Sequence, residues 1–309
     1  MPAHFRIAVT GATGFIGHNL IPALSSHGHQ VTAITRRSVG DLSPEVRQVV
    51  MEDLNRAVDW SVLEGVDIVI HLAGIAHTTG EIPAAAYNQV NHLATAALAN
   101  AASRLGARLV FVSSVAAQVG PSTDRVITEG DSPKPTSTYG HSKREAERAV
   151  AAANGRYVIL RPTLVYGAGV KGNMAKLVQL AKLPLPLPLS SIHNSRSLLG
   201  IDNFIRAVEF LLAHEEVDKE TFLIADPEPI SLAEMISNIR AGMGRFSNLV
   251  PVPPKVLAVA FGLLKRSEMW QRLSGNLVVS SERLRRAGYS PVESTREGLR
   301  RLGRMAAGS

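Results

Sequence analysis

Cysteine is absent from all 309 residues, which excludes disulfides, thiolate metal ligands and a cysteine nucleophile, and leaves no redox clue to compartment. Long apolar runs are missing too. The chain enters strand-like sequence within a few residues of its start, no export signal is visible, and no stretch reaches the ~18 apolar residues of a membrane span. The segment Val256-Leu257-Ala258-Val259-Ala260-Phe261-Gly262-Leu263-Leu264, followed by Lys265-Arg266, is too short to cross a bilayer. It reads as a core or interface helix, with contact to a membrane surface as the less favoured alternative. No internal repeat occurs. The ten histidines show no ligand spacing, so no metal site is expected, and His27, His29 and His71 read as structural residues, solvated or hydrogen-bonded. The formal charge of +7 raises the question of nucleic acid, yet no nucleic-acid motif accompanies it. Arg272, Arg283, Arg285, Arg286, Arg296, Arg300, Arg301 and Arg304 alternate with leucines and acids, which is the pattern of a solvated helix face. Some of the charge is expected to serve phosphate groups.

What the chain does contain begins with Gly11-Ala12-Thr13-Gly14-Phe15-Ile16-Gly17, placed between the apolar run Phe5–Thr10 and a helical pattern of Ile16, Leu20, Ile21 and Leu24 that stops at Gly28. Strand, glycine turn and helix come in the order a dinucleotide site needs. The glycines let the backbone approach a pyrophosphate, and the helix N-terminus offers free amides and a favourable dipole. The spacing differs by one residue from the commoner G-x-G-x-x-G, and a plain tight turn is the bland alternative. The next strand, Gln30–Thr35, runs into Arg36-Arg37, where an NAD-selective site usually has an acid for the ribose 2′-hydroxyl. Two guanidiniums suit a 2′-phosphate, which favours NADP(H) over NAD(H); the alternative is a solvated basic turn.

Strand-like and helix-like segments then alternate as in a doubly wound parallel sheet, an α/β architecture. Val66–His71, Arg108–Ser113 and Tyr157–Arg161 read as strands, the last ended by Pro162. Ala84–Arg104 and Ser137–Ala153 read as helices. Leu183-Pro184-Leu185-Pro186-Leu187-Pro188 is an extended connector, because alternating prolines prevent a helix. Ser231-Leu232-Ala233-Glu234 and Ser294-Thr295-Arg296-Glu297 match the capping box, so each is expected to start a helix.

Tyr139 and Lys143 lie four apart on one predicted helix face and can share one cofactor. A free tyrosine titrates near ~10, and a nearby ammonium is expected to lower that value. Ser114 follows a strand end, where α/β sheets place ligands, and its hydroxyl can hydrogen-bond a reacting carbonyl. The pattern points to a nicotinamide-dependent oxidoreductase.

On these residues the chain resembles the extended short-chain dehydrogenase/reductases, over nearly its whole length. The resemblance implies a Rossmann-type unit over 1–168, with returning segments near 197–226, and a smaller, mainly substrate-binding region over 169–309. It implies Ser114, Tyr139 and Lys143 as the catalytic set with Asn91 supporting them. Asp53 and Leu54 are expected near the adenine, His71-Leu72-Ala73-Gly74 along the cofactor, and Arg161-Pro162-Thr163 near the nicotinamide. Within the superfamily, Lys171-Gly172-Asn173-Met174, the Leu-Pro run, Asn194–Leu199 with Asp202-Asn203, and Arg272–Leu277 resemble the nucleotide-sugar branch. Narrower still is a likeness to bacterial UDP-2-acetamido-2,6-dideoxy-4-hexulose 4-reductases. Asn173, Arg196 and Arg272 are then expected to bind the nucleotide diphosphate, the alternative for Arg196 being an inter-domain salt bridge. Ser113–Gly120 departs from commoner forms by lacking an aromatic residue before its glycine, which leaves sugar preference open.

The expected activity is NADP(H)-dependent reduction of the C4 ketone of a UDP-linked 4-keto-6-deoxy sugar for surface-polysaccharide precursors. A UDP-sugar 4-epimerase retaining NAD is the nearest alternative, and a non-catalytic dinucleotide sensor a remote one. A cytoplasmic location, no stable membrane span and a possible homodimer complete the expectations.

Overall fold

Apolar runs that bury on both faces become central strands of a parallel sheet, and this chain supplies them in order. The computed structural model describes residues 4–40, 42–52, 59–75 and 82–308. β1 (Arg6–Thr10) leads through the glycine turn into α1 (Phe15–Ser26), and β2 (Gln30–Thr35) and β3 (Arg47–Val50) follow. Next come β4 (Ile68–His71), α2 (Ala84–Tyr87) and α3 (Ala94–Arg104), then β5 (Arg108–Val112), α4 (Thr138–Ala152) and β6 (Tyr157–Pro162). β7 (Leu164–Tyr166), α5 (Gly172–Lys182), β8 (Leu198–Gly200), α6 (Ile201–Ala213), β9 (Thr221–Ile224) and α7 (Leu232–Gly242) continue the chain. α8 (Pro254–Leu263), α9 (Ser267–Ser274), α10 (Glu282–Arg286) and α11 (Thr295–Ala307) complete it.

The main sheet has the order β3-β2-β1-β4-β5-β6-β9, with every neighbouring pair parallel. This is the doubly wound order, whose direction reverses between β1 and β4. Leu20, Leu24, Phe204 and Leu211 from α1 and α6 pack on one face of the sheet. Leu98, Ala102, Ala146 and Val150 from α3 and α4 pack on the other. β7 and β8 form a separate two-stranded ribbon after the chain leaves β6, and the chain returns to the main sheet only at β9.

The Ala84–Arg104 helix forms as expected but widens into a π-helical turn over Asn88–Leu93. The Thr95 hydroxyl, at the start of α3, donates to the Asn91 carbonyl of this turn at 2.7 Å. Such widened turns favour functional sites.

Both predicted capping boxes are present: Ser231 and Ser294 each exchange hydrogen bonds with the glutamate three residues on. The helices they start pack closely, because Gly242 and Gly303 leave no room for a Cβ against the Arg300 and Ile239 carbonyls. The Leu-Pro connector is irregular, and the buried Arg240 anchors it by donating to the carbonyls of Leu183 and Leu185 at 2.9 and 3.0 Å. The same guanidinium holds the Ser247 and Asn248 carbonyls.

The C-terminal arginines are largely ion-paired at the surface, for example Arg283 with Glu220 and Arg296 with Glu234. The helix expected around Val256–Leu264 forms as α8, but none of its residues is buried, which corrects its reading as a core helix. No helix among the described residues is long and apolar enough to cross a membrane.

Candidate active site

Ser137 caps α4 by accepting the Gly140 amide at 3.0 Å, and so sets the first turn on which Tyr139 stands. One turn later Lys143 is buried, donating to the Val112 carbonyl at 3.0 Å and lying 4.9 Å from the Phe111 ring centroid. Ser114, immediately beyond β5, accepts the Ala116 amide at 3.2 Å. Its own hydrogen is thereby left to point to Tyr139, with which it hydrogen-bonds. The ring of Tyr87 lies 6.2 Å from that of Tyr139.

Burial pushes the Tyr139 phenol above its ordinary range, and the Ser114 hydrogen bond pulls it only part of the way back. The expectation that Lys143 lowers it is therefore corrected: the ammonium is engaged by Val112 and itself falls to about 8 through burial. Tyr139 is a neutral phenol at neutral pH.

Asn91 ties this pair to the neighbouring loop. Its side chain accepts the Ile75 amide at 2.7 Å and donates to the Ile75 carbonyl and to Ser142 Oγ, each at 3.0 Å. Ser142 in turn donates to the Tyr139 carbonyl at 2.8 Å. Gly74 lies in the same pocket, since a Cβ there would stand 2.9 Å from Asn91 Oδ1 and 3.5 Å from Lys143 Nζ. The pattern of Tyr139 and Lys143 gave no hint of Ser142, whose task is visible only in the folded helix.

A second buried group underlies the site. Glu147 accepts from Ser113 at 2.6 Å and from Arg161 at 2.8 and 2.6 Å, and Arg161 also donates to Gln118. Burial raises the Glu147 carboxyl, but Arg161, Ser113 and Arg144 outweigh it and hold the group below the usual carboxylate range. Arg161 is thus committed to joining β5, α4 and β6. Neither Glu147 nor Gln118 stood out in the sequence, because single polar residues in a helix or loop carry no spacing signal.

The glycine turn fits a dinucleotide phosphate. Gly11 has φ +72°, and a Cβ on it would meet the Ala73 nitrogen at 2.6 Å; one on Gly17 would meet the Gly11 and Ala12 carbonyls at 2.6 Å. Gly14 caps α1 with no side chain, so the first-turn amides beside exposed Thr13 and half-buried Phe15 and Ile16 are open to an anion. Leu72, Ala73 and Gly74 follow β4 directly across the reversal point from this turn. Pro162 ends β6, and next to it the Thr163 hydroxyl is buried without a hydrogen-bond partner among the described residues. These are features of a site shaped for a bound group.

Arg36 and Arg37 are exposed just past β2. Asp53 and Leu54 lie outside the described residues, as does the side chain of Arg272. Asn173 is exposed in the first turn of α5. The half-buried Arg196 donates to the Gly275 carbonyl at 2.9 Å and to the Pro121 carbonyl at 3.3 Å, and no carboxylate pairs with it among the described residues. The salt-bridge alternative is thereby corrected. Through Pro121 the guanidinium is tied to the loop that begins at Ser114.

His71 is buried between two threonines. Thr95 Oγ1 gives its hydrogen to Asn91, so it accepts from His71 Nε2 at 2.9 Å, and His71 Nδ1 accepts from Thr10 Oγ1 at 2.6 Å. The Ala73 amide donates to Thr10 at 3.3 Å. One tautomer satisfies the whole chain, from the glycine-turn strand to the π-helical turn. Burial, with Lys143 adding to it, lowers His71 to about 3, so it is a neutral hydrogen-bonding group that links β1, which leads into the glycine turn, to the helix carrying Asn91.

Comparison with known proteins identifies the family. Residues 7–225 match the NAD dependent epimerase/dehydratase family. The chain is 31% identical over 307 residues to a UDP-glucose 4-epimerase of Vibrio cholerae, covering 95% of this chain and 93% of that one. It is 30% identical to a 3-diazoavenalumate denitrifying reductase of a Streptomyces species, covering 96% and 99%. The solved structure of MoeE5 in complex with UDP-glucose and NAD superposes with a TM-score of 0.74 at 25% identity, covering 97% of this chain and 98% of that one. By the family match over residues 7–225 and the 31% identity to a relative covered almost end to end, the chain belongs to the NAD dependent epimerase/dehydratase family of extended short-chain dehydrogenase/reductases.

Proposed function

We propose that the protein reduces the C4 ketone of a UDP-linked 4-keto-6-deoxy hexose or N-acetylhexosamine, using NADPH. The observation that carries the reading is the neutral Tyr139 phenol hydrogen-bonded to Ser114, since a ketoreductase begins with a proton to give. Exposed Arg36 and Arg37 past β2 support a 2′-phosphate on the cofactor. The nicotinamide supplies the hydride. Ser114 donates a hydrogen bond to the ketone oxygen, and Tyr139 delivers the proton as charge develops there. Lys143 would hold the ribose of a bound dinucleotide and would supply positive charge beside Tyr139. Asn91 and Ser142 hold the first turn of α4 still. Arg196 and Asn173, with Arg272, bind the diphosphate.

A second reading, a UDP-sugar 4-epimerase with retained NAD, is favoured by the 31% identity to the Vibrio cholerae enzyme. Denaturing the freshly purified protein and measuring released nicotinamide separates the two. Exchangeable NADP(H), with NADPH consumed by a UDP-4-keto-6-deoxy sugar, supports the reductase. Near-stoichiometric NAD with no net NADPH consumption transfers the assignment to the epimerase, and no turnover of either substrate class leaves a dinucleotide sensor.

A further inference from the structure

Apart from Lys255 in its first turn, α8 is built of apolar residues but is covered on one side only. Leu257 packs against the C-terminal core, and the Phe261 ring lies tilted against Trp270 of α9 with centroids 5.6 Å apart. The opposite stripe is bare: Val256, Val259 and Leu263 recur at helical spacing and are 56%, 64% and 82% exposed, with Leu264 beside them at 67%. Phe246, 94% exposed, adds a further apolar group in the loop that leads to this helix. A helix of this kind is ordinarily buried, so the bare stripe calls for an occupant.

Charge identifies that occupant. No aspartate or glutamate occurs from Met235 to Ser267, while Arg245, Lys255, Lys265 and Arg266 do, all exposed. Lys265 takes φ +56° at the C-terminal end of α8, a conformation glycine adopts without strain, so its cation stands where backbone geometry alone would favour another residue. The stripe is too small to hold two copies together. Ten residues span ~15 Å, and a face ~10 Å wide offers on the order of 150 Å², against the ~800 Å² per partner of a stable interface. An apolar stripe with cations at both ends, on a segment that carries no acid of its own, matches a bilayer surface, where side chains sink ~5–10 Å and cations meet anionic headgroups.

We propose that α8 and the basic residues at its ends dock the protein reversibly on anionic phospholipid membranes. Docking through α8 uses no residue of the catalytic set, so it stands apart from the reductase assignment. The test is flotation of the full chain with vesicles of phosphatidylcholine containing about 30% phosphatidylglycerol at ~0.1 M salt, against vesicles of phosphatidylcholine alone. Wild type is expected to float with the anionic vesicles only, and the double variant Val259→Glu/Leu263→Glu to bind at least ~10-fold more weakly with unchanged Tm. Should that variant melt early, the charge reversal Lys265→Glu/Arg266→Glu replaces it, with the same loss expected. Wild type remaining at the bottom of the anionic gradient overturns the proposal, as does equal flotation of a folded variant. Sedimentation showing a dimer that the variant dissociates, with no flotation, would assign the stripe to a second copy of the chain instead.

Discussion

At the scale of single residues, His71 couples stability to pH. In the unfolded chain it titrates near its ordinary value of 6.5, whereas burial in the fold lowers it to about 3. Between those values the unfolded chain holds a proton that the folded one excludes. Its contribution is therefore whole above pH ~6.5 and falls as pH drops toward ~3, with a slope approaching ~1.4 kcal/mol per pH unit. Urea midpoints of wild type at pH 7.5 and 5 should separate more widely than those of His71→Gln, whose side chain cannot take up a proton. Tyr139→Phe keeps the ring but loses the proton, so turnover should fall by at least ~10²-fold while cofactor still binds, as measured by fluorescence titration; near-normal turnover would sink the assignment. Tyr139, Lys143 and the glycine turn were legible because their spacing is itself the chemistry. The direction of the Tyr139 shift was not, because it depends on where the Lys143 ammonium points, and a carbonyl 31 residues away in sequence decides that.

At the scale of elements, the buried strands β1, β4 and β5 and helices α1 and α4 could be read because their apolar runs or periodic faces span several residues. β3 was missed: at the sheet edge its two end residues are exposed and its two central ones only half-buried, and four residues give too short a pattern. β7 and β8, three residues each, lie below what periodicity can resolve. The capping boxes were legible in full because both partners lie within four residues. Ser231→Ala or Ser294→Ala removes an accepted amide and should cost ~1 kcal/mol in equilibrium unfolding. Arg240→Ala should cost more, ~3 kcal/mol, and raise protease sensitivity at Leu183–Pro188, because connector carbonyls anchored by a buried guanidinium lose their donor. Nothing in the Leu-Pro run itself names that partner.

At the scale of the whole molecule, a dinucleotide bound at the reversal point should act as a brace between β1, β2 and β4. NADP(H) at about 100 times its Kd should stabilise the fold by ~2.7 kcal/mol and raise Tm by about 5 °C. Arg36→Glu/Arg37→Glu should weaken NADP(H) at least ~10-fold more than NAD(H), read by the same thermal shift. β9 has a consequence of a different kind, for the order in which the chain can mature. Strand β6 is made before the ribbon and α6, yet the neighbour that covers its open side arrives only at Thr221–Ile224. A nascent chain therefore carries a bare, apolar parallel edge through all the intervening synthesis, and a fragment ending at residue 168 should aggregate where the full chain does not.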